Sequence, residues 1–100
     1  MKFETLSQIV DQVFEDTTVD ELQLRFREDV ELNESQFKEL IGQGTLVTGY
    51  EDYGTITDIY EYWETGKQYV KFLIVYYKKD EKIYIMELQM WRELKLISKP

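Results

Sequence analysis

The sequence predicts an α+β fold: two or three N-terminal helices packed on a four-stranded antiparallel β meander, in a single domain spanning residues 1–100. Three observations lead there. Helical spacing of apolar residues is confined to the first 41 positions, everything after Gly44 alternates or runs apolar in strand-length segments, and the sole proline is the last residue. Sequential strands joined by short turns pair as antiparallel neighbours, and helices that precede them cover one face.

Residues 4–15, ETLSQIVDQVFE, place Leu6, Ile9, Val10, Val13 and Phe14 at helical spacing with polar residues opposite, which predicts an amphipathic helix. Residues 17–21 read TTVDE, and Thr18 with Glu21 matches a capping box. A second helix is therefore expected through residue 32, with Val19, Leu22, Phe26 and Val30 on one face and Glu21–Arg25 and Arg25–Asp29 as i,i+4 pairs. The rival reading is a strand, because Leu22, Leu24, Phe26, Val30 and Leu32 also alternate; the cap favours the helix. Asn33 then starts a clear local signature. Asn33 as N-cap, Gln36 three residues on, and Leu32 facing Phe37 form a capping box with a hydrophobic staple, and Gly42 and Gly44 stop the helix.

Strands are expected over residues 45–50, 55–64, 68–78 and 82–91, with turns at Gly54, at 65–67 and at 79–81. Val70, Phe72, Ile74 and Tyr76 share one face of the third, and Tyr84, Met86, Leu88 and Met90 one face of the fourth. The strand at 55–64 interleaves Tyr60, Tyr62 and Trp63 with Asp58, Glu61 and Glu64, so it is expected near an edge, half in water. Tyr76, Tyr77 and Tyr84 are expected to pack in the core or across strands. For Tyr50, Tyr53, Tyr60, Tyr62 and Trp63, a rigid recognition surface and a covered core edge are equally open.

Composition excludes whole classes of chemistry. The chain has no cysteine and no histidine, so Ser-His and Cys-His catalysis and Cys-based zinc sites cannot be assembled within it. No cofactor is implied. The N-terminus lacks the continuous apolar run of a secretory leader, and the apolar run at 72–77 is far too short to span a bilayer, which together suit a cytoplasmic protein. Charge is distributed unevenly. Residues 1–64 hold sixteen acids against four bases, net −12, and residues 65–100 hold four acids against eight bases, net +4. Such a field disfavours direct contact with nucleic acid or anionic membranes and favours a basic partner.

Two acidic sets invite metal chemistry. Glu51, Asp52, Asp58, Glu61 and Glu64 could supply oxygen ligands but match no calcium-loop spacing. The run Ile85-Met86-Glu87-Leu88-Gln89 faintly resembles the metal-binding strand of restriction-endonuclease-like nucleases, with Gln89 in the lysine position. That resemblance would ask Asp58 or Asp80 for a second carboxylate, and it departs from the family in lacking a basic DNA surface. The favoured expectation is a non-enzymatic protein that binds a basic surface, most simply that of a nucleic-acid-binding enzyme, through Glu51, Asp52, Tyr53, Asp58, Tyr60, Glu61, Tyr62 and Glu64, with Glu28, Asp29 and Glu31 as a competing patch. In size, charge and missing catalytic residues it resembles small phage-encoded inhibitors, such as anti-CRISPR proteins and DNA mimics, without an aligned motif. A homodimer or assembly subunit pairing through a strand edge is the alternative.

Overall fold

The computed structural model describes residues 3–15, 21–63 and 68–94, without the side chains of residues 13, 14, 63, 68, 69, 93 and 94. Its elements are α1 (Phe3–Glu15), β1 (Glu21–Leu32), α2 (Glu34–Ile41), β2 (Thr45–Asp52), β3 (Thr55–Trp63), β4 (Gln68–Lys79) and β5 (Lys82–Leu94). The five strands form one antiparallel sheet in the order β1-β5-β4-β3-β2. The α+β class stands, with two helices among the described residues and one strand more than the expected four.

That extra strand corrects the reading of residues 21–32. Leu22, Leu24 and Phe26 are half-buried and Val30 and Leu32 fully buried, alternating with exposed neighbours, and the segment pairs with β5. Local signals lose to tertiary ones here. A helix cap is worth about 1 kcal/mol and each i,i+4 pair about 0.2–0.5, whereas burying Val30 and Leu32 contributes roughly 1.5–3 kcal/mol each. The TTVDE cap lies largely outside the described residues, as do the loop at 65–67 and Glu64.

The core lies between the helices and one face of the sheet. Leu6 and Val10 of α1 and Phe37, Leu40 and Ile41 of α2 meet Val70, Phe72, Ile74 and Tyr76 of β4, the face read from the sequence. Phe37 and Tyr76 touch ring to ring at 4.9 Å. The capping box of α2 is present in full: Asn33 Oδ1 accepts from the Gln36 N–H at 2.8 Å, and Gln36 Oε1 from the Asn33 N–H at 2.9 Å.

On β5 the buried set is Ile83, Ile85, Leu88 and Met90. Tyr84 and Met86 do not share the face expected for them, because Tyr76 pairs with Ile85 while Val75 pairs with Glu87, leaving Met86 as an extra residue. One inserted residue exchanges the two faces of everything beyond it. Tyr84 instead stacks on Tyr77 across the strands, 5.1 Å apart, on the sheet's other side. No described element covers that outer face, and no described helix is long and apolar enough to cross a membrane.

Candidate functional site

The β2–β3 hairpin is closed by a two-residue loop, Tyr53-Gly54, with φ of 51° and 81°. Two positive φ values twist the loop to match the strands, which is ordinary for Gly54 and costly for a ring-bearing residue. The hairpin forms the outer end of the sheet. β2 is the edge strand and is exposed throughout, and β3 lies next to it, half-buried along most of its length, near the edge as its sequence led one to expect.

β3 therefore turns Ile56, Asp58, Tyr60 and Tyr62 toward the core face, opposite Tyr76, Ile74, Phe72 and Val70. Two glycines, Gly44 just before β2 and Gly49 within it, make room for them. A side chain at Gly44 would run into the Tyr62 ring, and one at Gly49 into the Asp58 carboxylate. Tyr62 meets Phe72 edge-on at 5.2 Å. Asp58 is 8% exposed; its Oδ2 accepts from the Tyr76 hydroxyl at 2.6 Å and from the Tyr60 hydroxyl at 3.4 Å. Burial, followed by the charge and hydrogen bond of Asp58, pushes Tyr60 up to about 12. Burial also raises Tyr76, with the Asp58 hydrogen bond behind it, and raises Tyr62, with Tyr60 behind it. The phenols are held neutral at physiological pH, so the cluster offers no phenolate base or nucleophile there.

Tyr60 and Tyr76 also form part of the wall of a cleft of about 480 Å³ between α2 and the sheet, lined further by Phe37, Ile41 and Ile83 with Glu34, Lys38 and Lys78.

The structure divides the eleven residues expected at a contact surface among three places. Asp58, Tyr60 and Tyr62 face inward: Asp58, expected at the contact surface, is buried, and Tyr60 and Tyr62, left open between a recognition surface and a core edge, are half-buried against the core. Glu51, Asp52 and Tyr53 are exposed at the tip of the hairpin, and Glu61 is half-exposed on the outer face opposite Lys71. Glu28, Asp29 and Glu31 are exposed on β1, at the far edge. There Asp29 raises the Tyr77 phenol above its ordinary value, and Glu31 lies 3.5 Å from the Tyr84 hydroxyl and 3.7 Å from Lys82 Nζ. Glu64 lies outside the described residues. Sequence reasoning passed over Leu46 and Val47, which are 55% and 50% exposed, and left Tyr50, 63% exposed, open between a recognition surface and a core edge. Their signal was a strand of eight residues with no charge before its last two positions.

Neither metal set is assembled. Alternation sends Asp58 inward and Glu61 outward, and no group of three or more potential ligands occurs among the described residues. Glu87 is engaged otherwise: it accepts from Gln89 and pairs with Arg25 Nε at 2.7 Å. The Gln89 hydrogen bond first, and Arg25 with it, hold its carboxyl below the usual range.

These features define a class: small α+β proteins with five antiparallel strands, helices on one face and a hairpin at one end of the sheet. Residues 2–93 match the family described as "Protein of unknown function (DUF1374)", and the chain belongs to that family. It is 33% identical over 92 residues to "Uncharacterized protein 90B" of Sulfolobus islandicus rod-shaped virus 1, covering 92% of this chain and 98% of that protein. It is 34% identical to "Uncharacterized protein 14" of Sulfolobus islandicus filamentous virus, over 77% of this chain and 69% of that one. Among solved structures, ORF14 of the filamentous virus superimposes with a TM-score of 0.82 at 30% identity, over 91% of this chain and 83% of that chain. The "thermo- and acido-stable ORF-99 from the archaeal virus AFV1" shares the fold, with a TM-score of 0.80 at 23% identity and 95% coverage of both chains. The chain is thus a viral protein, its relatives belonging to archaeal viruses rather than to phages.

Proposed function

We propose that this viral protein is a non-enzymatic inhibitor that binds a basic, nucleic-acid-binding protein inside the host cell and blocks the surface that would take DNA or RNA, as anti-CRISPR proteins and DNA mimics do. One observation carries the reading. The β2–β3 hairpin, residues 45–63, contains no lysine or arginine, and it presents Glu51, Asp52 and Glu61 with the exposed rings of Tyr50 and Tyr53 at one end of the sheet. Carboxylates beside exposed aromatics suit a basic groove: the charges steer encounter and the rings supply contact area at little entropic cost. A chain of net charge −8 is itself repelled by nucleic acid.

The competing acidic patch on β1 fits less well. Its Glu28, Asp29 and Glu31 stand beside Arg27 in the chain, and Lys82 approaches Glu31 to 3.7 Å, so bases offset part of its charge.

The test uses the immobilised chain and host lysate, with retained proteins eluted by rising salt and identified by mass spectrometry. The expected partner elutes at moderate salt and loses nucleic-acid binding in a mobility-shift assay when the chain is added in equimolar amount. The triple variant Glu51→Lys, Asp52→Lys, Glu61→Lys should lose that inhibition while keeping its melting temperature. Inhibition by the reversed variant equal to that of the unaltered chain would sink the reading.

A further inference from the structure

The two edges of the sheet differ in kind. An edge strand presents unpaired N–H and C=O groups, and proteins usually blunt it with charge, proline, bulges or a covering element. β1 is blunted: six of its twelve residues are charged, three extra residues bulge from it between Arg25 and Val30, and both helices pack against it. β2 is not. Apart from one register shift at Val47, its first six residues, Thr45 to Tyr50, carry no charge and no proline, and all eight are exposed. The exposed large apolar side chains among the described residues, Leu46, Val47, Tyr50 and Tyr53, all lie on β2 or its turn. Tyr53 is fully exposed and held at a φ of 51°, where Asn or Gly would close the loop without strain.

We propose that β2 is a strand-addition edge: the basic partner of the function proposed above, on which this inference rests, lays an extended segment along β2. Main-chain hydrogen bonds continue the sheet, apolar side chains of the segment cover Leu46, Val47 and Tyr50, and its lysines or arginines meet Glu51 and Asp52 at the hairpin tip. Charge selects this occupant over a second copy of the chain. Two β2 edges brought together would join two base-free hairpins on molecules that each carry −8, whereas a basic segment neutralises the one hairpin it binds.

Two synthetic ten-residue peptides with equal numbers of lysines serve as probes. One alternates valine and threonine and ends in lysines, and so favours a strand; the other replaces valine and threonine by glycine and serine. Binding is read by fluorescence anisotropy and by hydrogen exchange of the β2 amides. The strand-forming peptide should bind at least about tenfold tighter than the flexible one and slow exchange in β2 but not in β1. The double variant Leu46→Ser, Val47→Ser, which leaves charge and backbone intact, should remove that advantage and leave the flexible peptide unaffected. Equal binding of the two peptides without protection of β2 would overturn strand addition and leave the acidic-surface reading standing. Failure of both peptides to bind, or equal binding of an acidic counterpart, would remove both. Protection of β2 that grows with protein concentration in the absence of peptide would assign the edge to a second copy and overturn the proposal.

Discussion

Replacing Tyr76 by Phe removes one oxygen atom and tests how β3 is held against β4. The Tyr76 hydroxyl donates to Asp58 Oδ2 at 2.6 Å, and the other hydroxyl on that carboxylate, from Tyr60, stands at 3.4 Å, near the limit of a useful bond. Asp58 is 8% exposed, so water compensates little when the donor is lost. A hydrogen bond to a charged group contributes about 1.5–3 kcal/mol, and the ring of Tyr76 still packs on Phe37 in the variant. The expected loss is thus about 2 kcal/mol, or roughly 8–16 °C in Tm for a domain of this size. Urea denaturation followed by circular dichroism measures it, and an unchanged m-value would confirm that only the native state was affected. The same substitution in an Asp58→Asn background should cost about 1 kcal/mol less, because an amide oxygen accepts without the charge. A loss under about 0.5 kcal/mol, or none of this coupling, would refute the argument and reduce Tyr76 to a packing residue.

Leu88→Ala should cost about 2–5 kcal/mol and Phe72→Ala about 3–5 by equilibrium unfolding, since both are 1% exposed; a loss well under 1 kcal/mol would mean the faces are assigned wrongly. Asn33→Ala should cost about 1 kcal/mol in the same assay, because it removes the acceptor of the Gln36 N–H. Stability should fall in alkali. Unfolded tyrosine ionises near 10, folded Tyr60 near 12, and Tyr62 and Tyr76 are raised as well, so the native state keeps protons that the unfolded state has lost. This contribution is fully present below pH 10 and disappears as the pH rises through 12; urea midpoints across that window should decline, less steeply in Tyr60→Phe.

What could be read from the sequence was what neighbouring residues decide among themselves. The cap at Asn33 needs only Gln36, three residues away, and the inward face of β4 needs only unbroken alternation from Val70 to Tyr76. Residues 21–32 carried local signals for a helix, and the partner that outweighed them, β5, lies some sixty residues away in sequence. The exchange of faces on β5 was hidden for the same reason, since the extra residue at Met86 exists only relative to the strand paired with it. Asp58 was read as a surface acid because it stands among acids. The sign that it was not lay on another strand: Gly49 interrupts otherwise strand-forming residues of β2, as glycine does where a neighbour needs the space of a side chain.

The buried carboxylate and the exposed edge belong to one arrangement. A terminal hairpin that flexed would lose conformational entropy on receiving a partner segment, and that loss would be subtracted from affinity. Asp58 ties β3 to β4 through Tyr76, and the Tyr62 ring, seated over Gly44, packs on Phe72. β3 is thereby anchored on its inner face along most of its length, and β2 is held in turn by its pairing from Thr45 to Asp52. On the proposed reading, the inward side chains of the acidic strand would not meet the partner but would hold rigid the neighbouring strand proposed to receive it. Mutations at Asp58 or Tyr62 should accordingly weaken partner binding only as far as they loosen the hairpin, whereas mutations at Glu51, Asp52 or Tyr50 should weaken it with the fold unchanged.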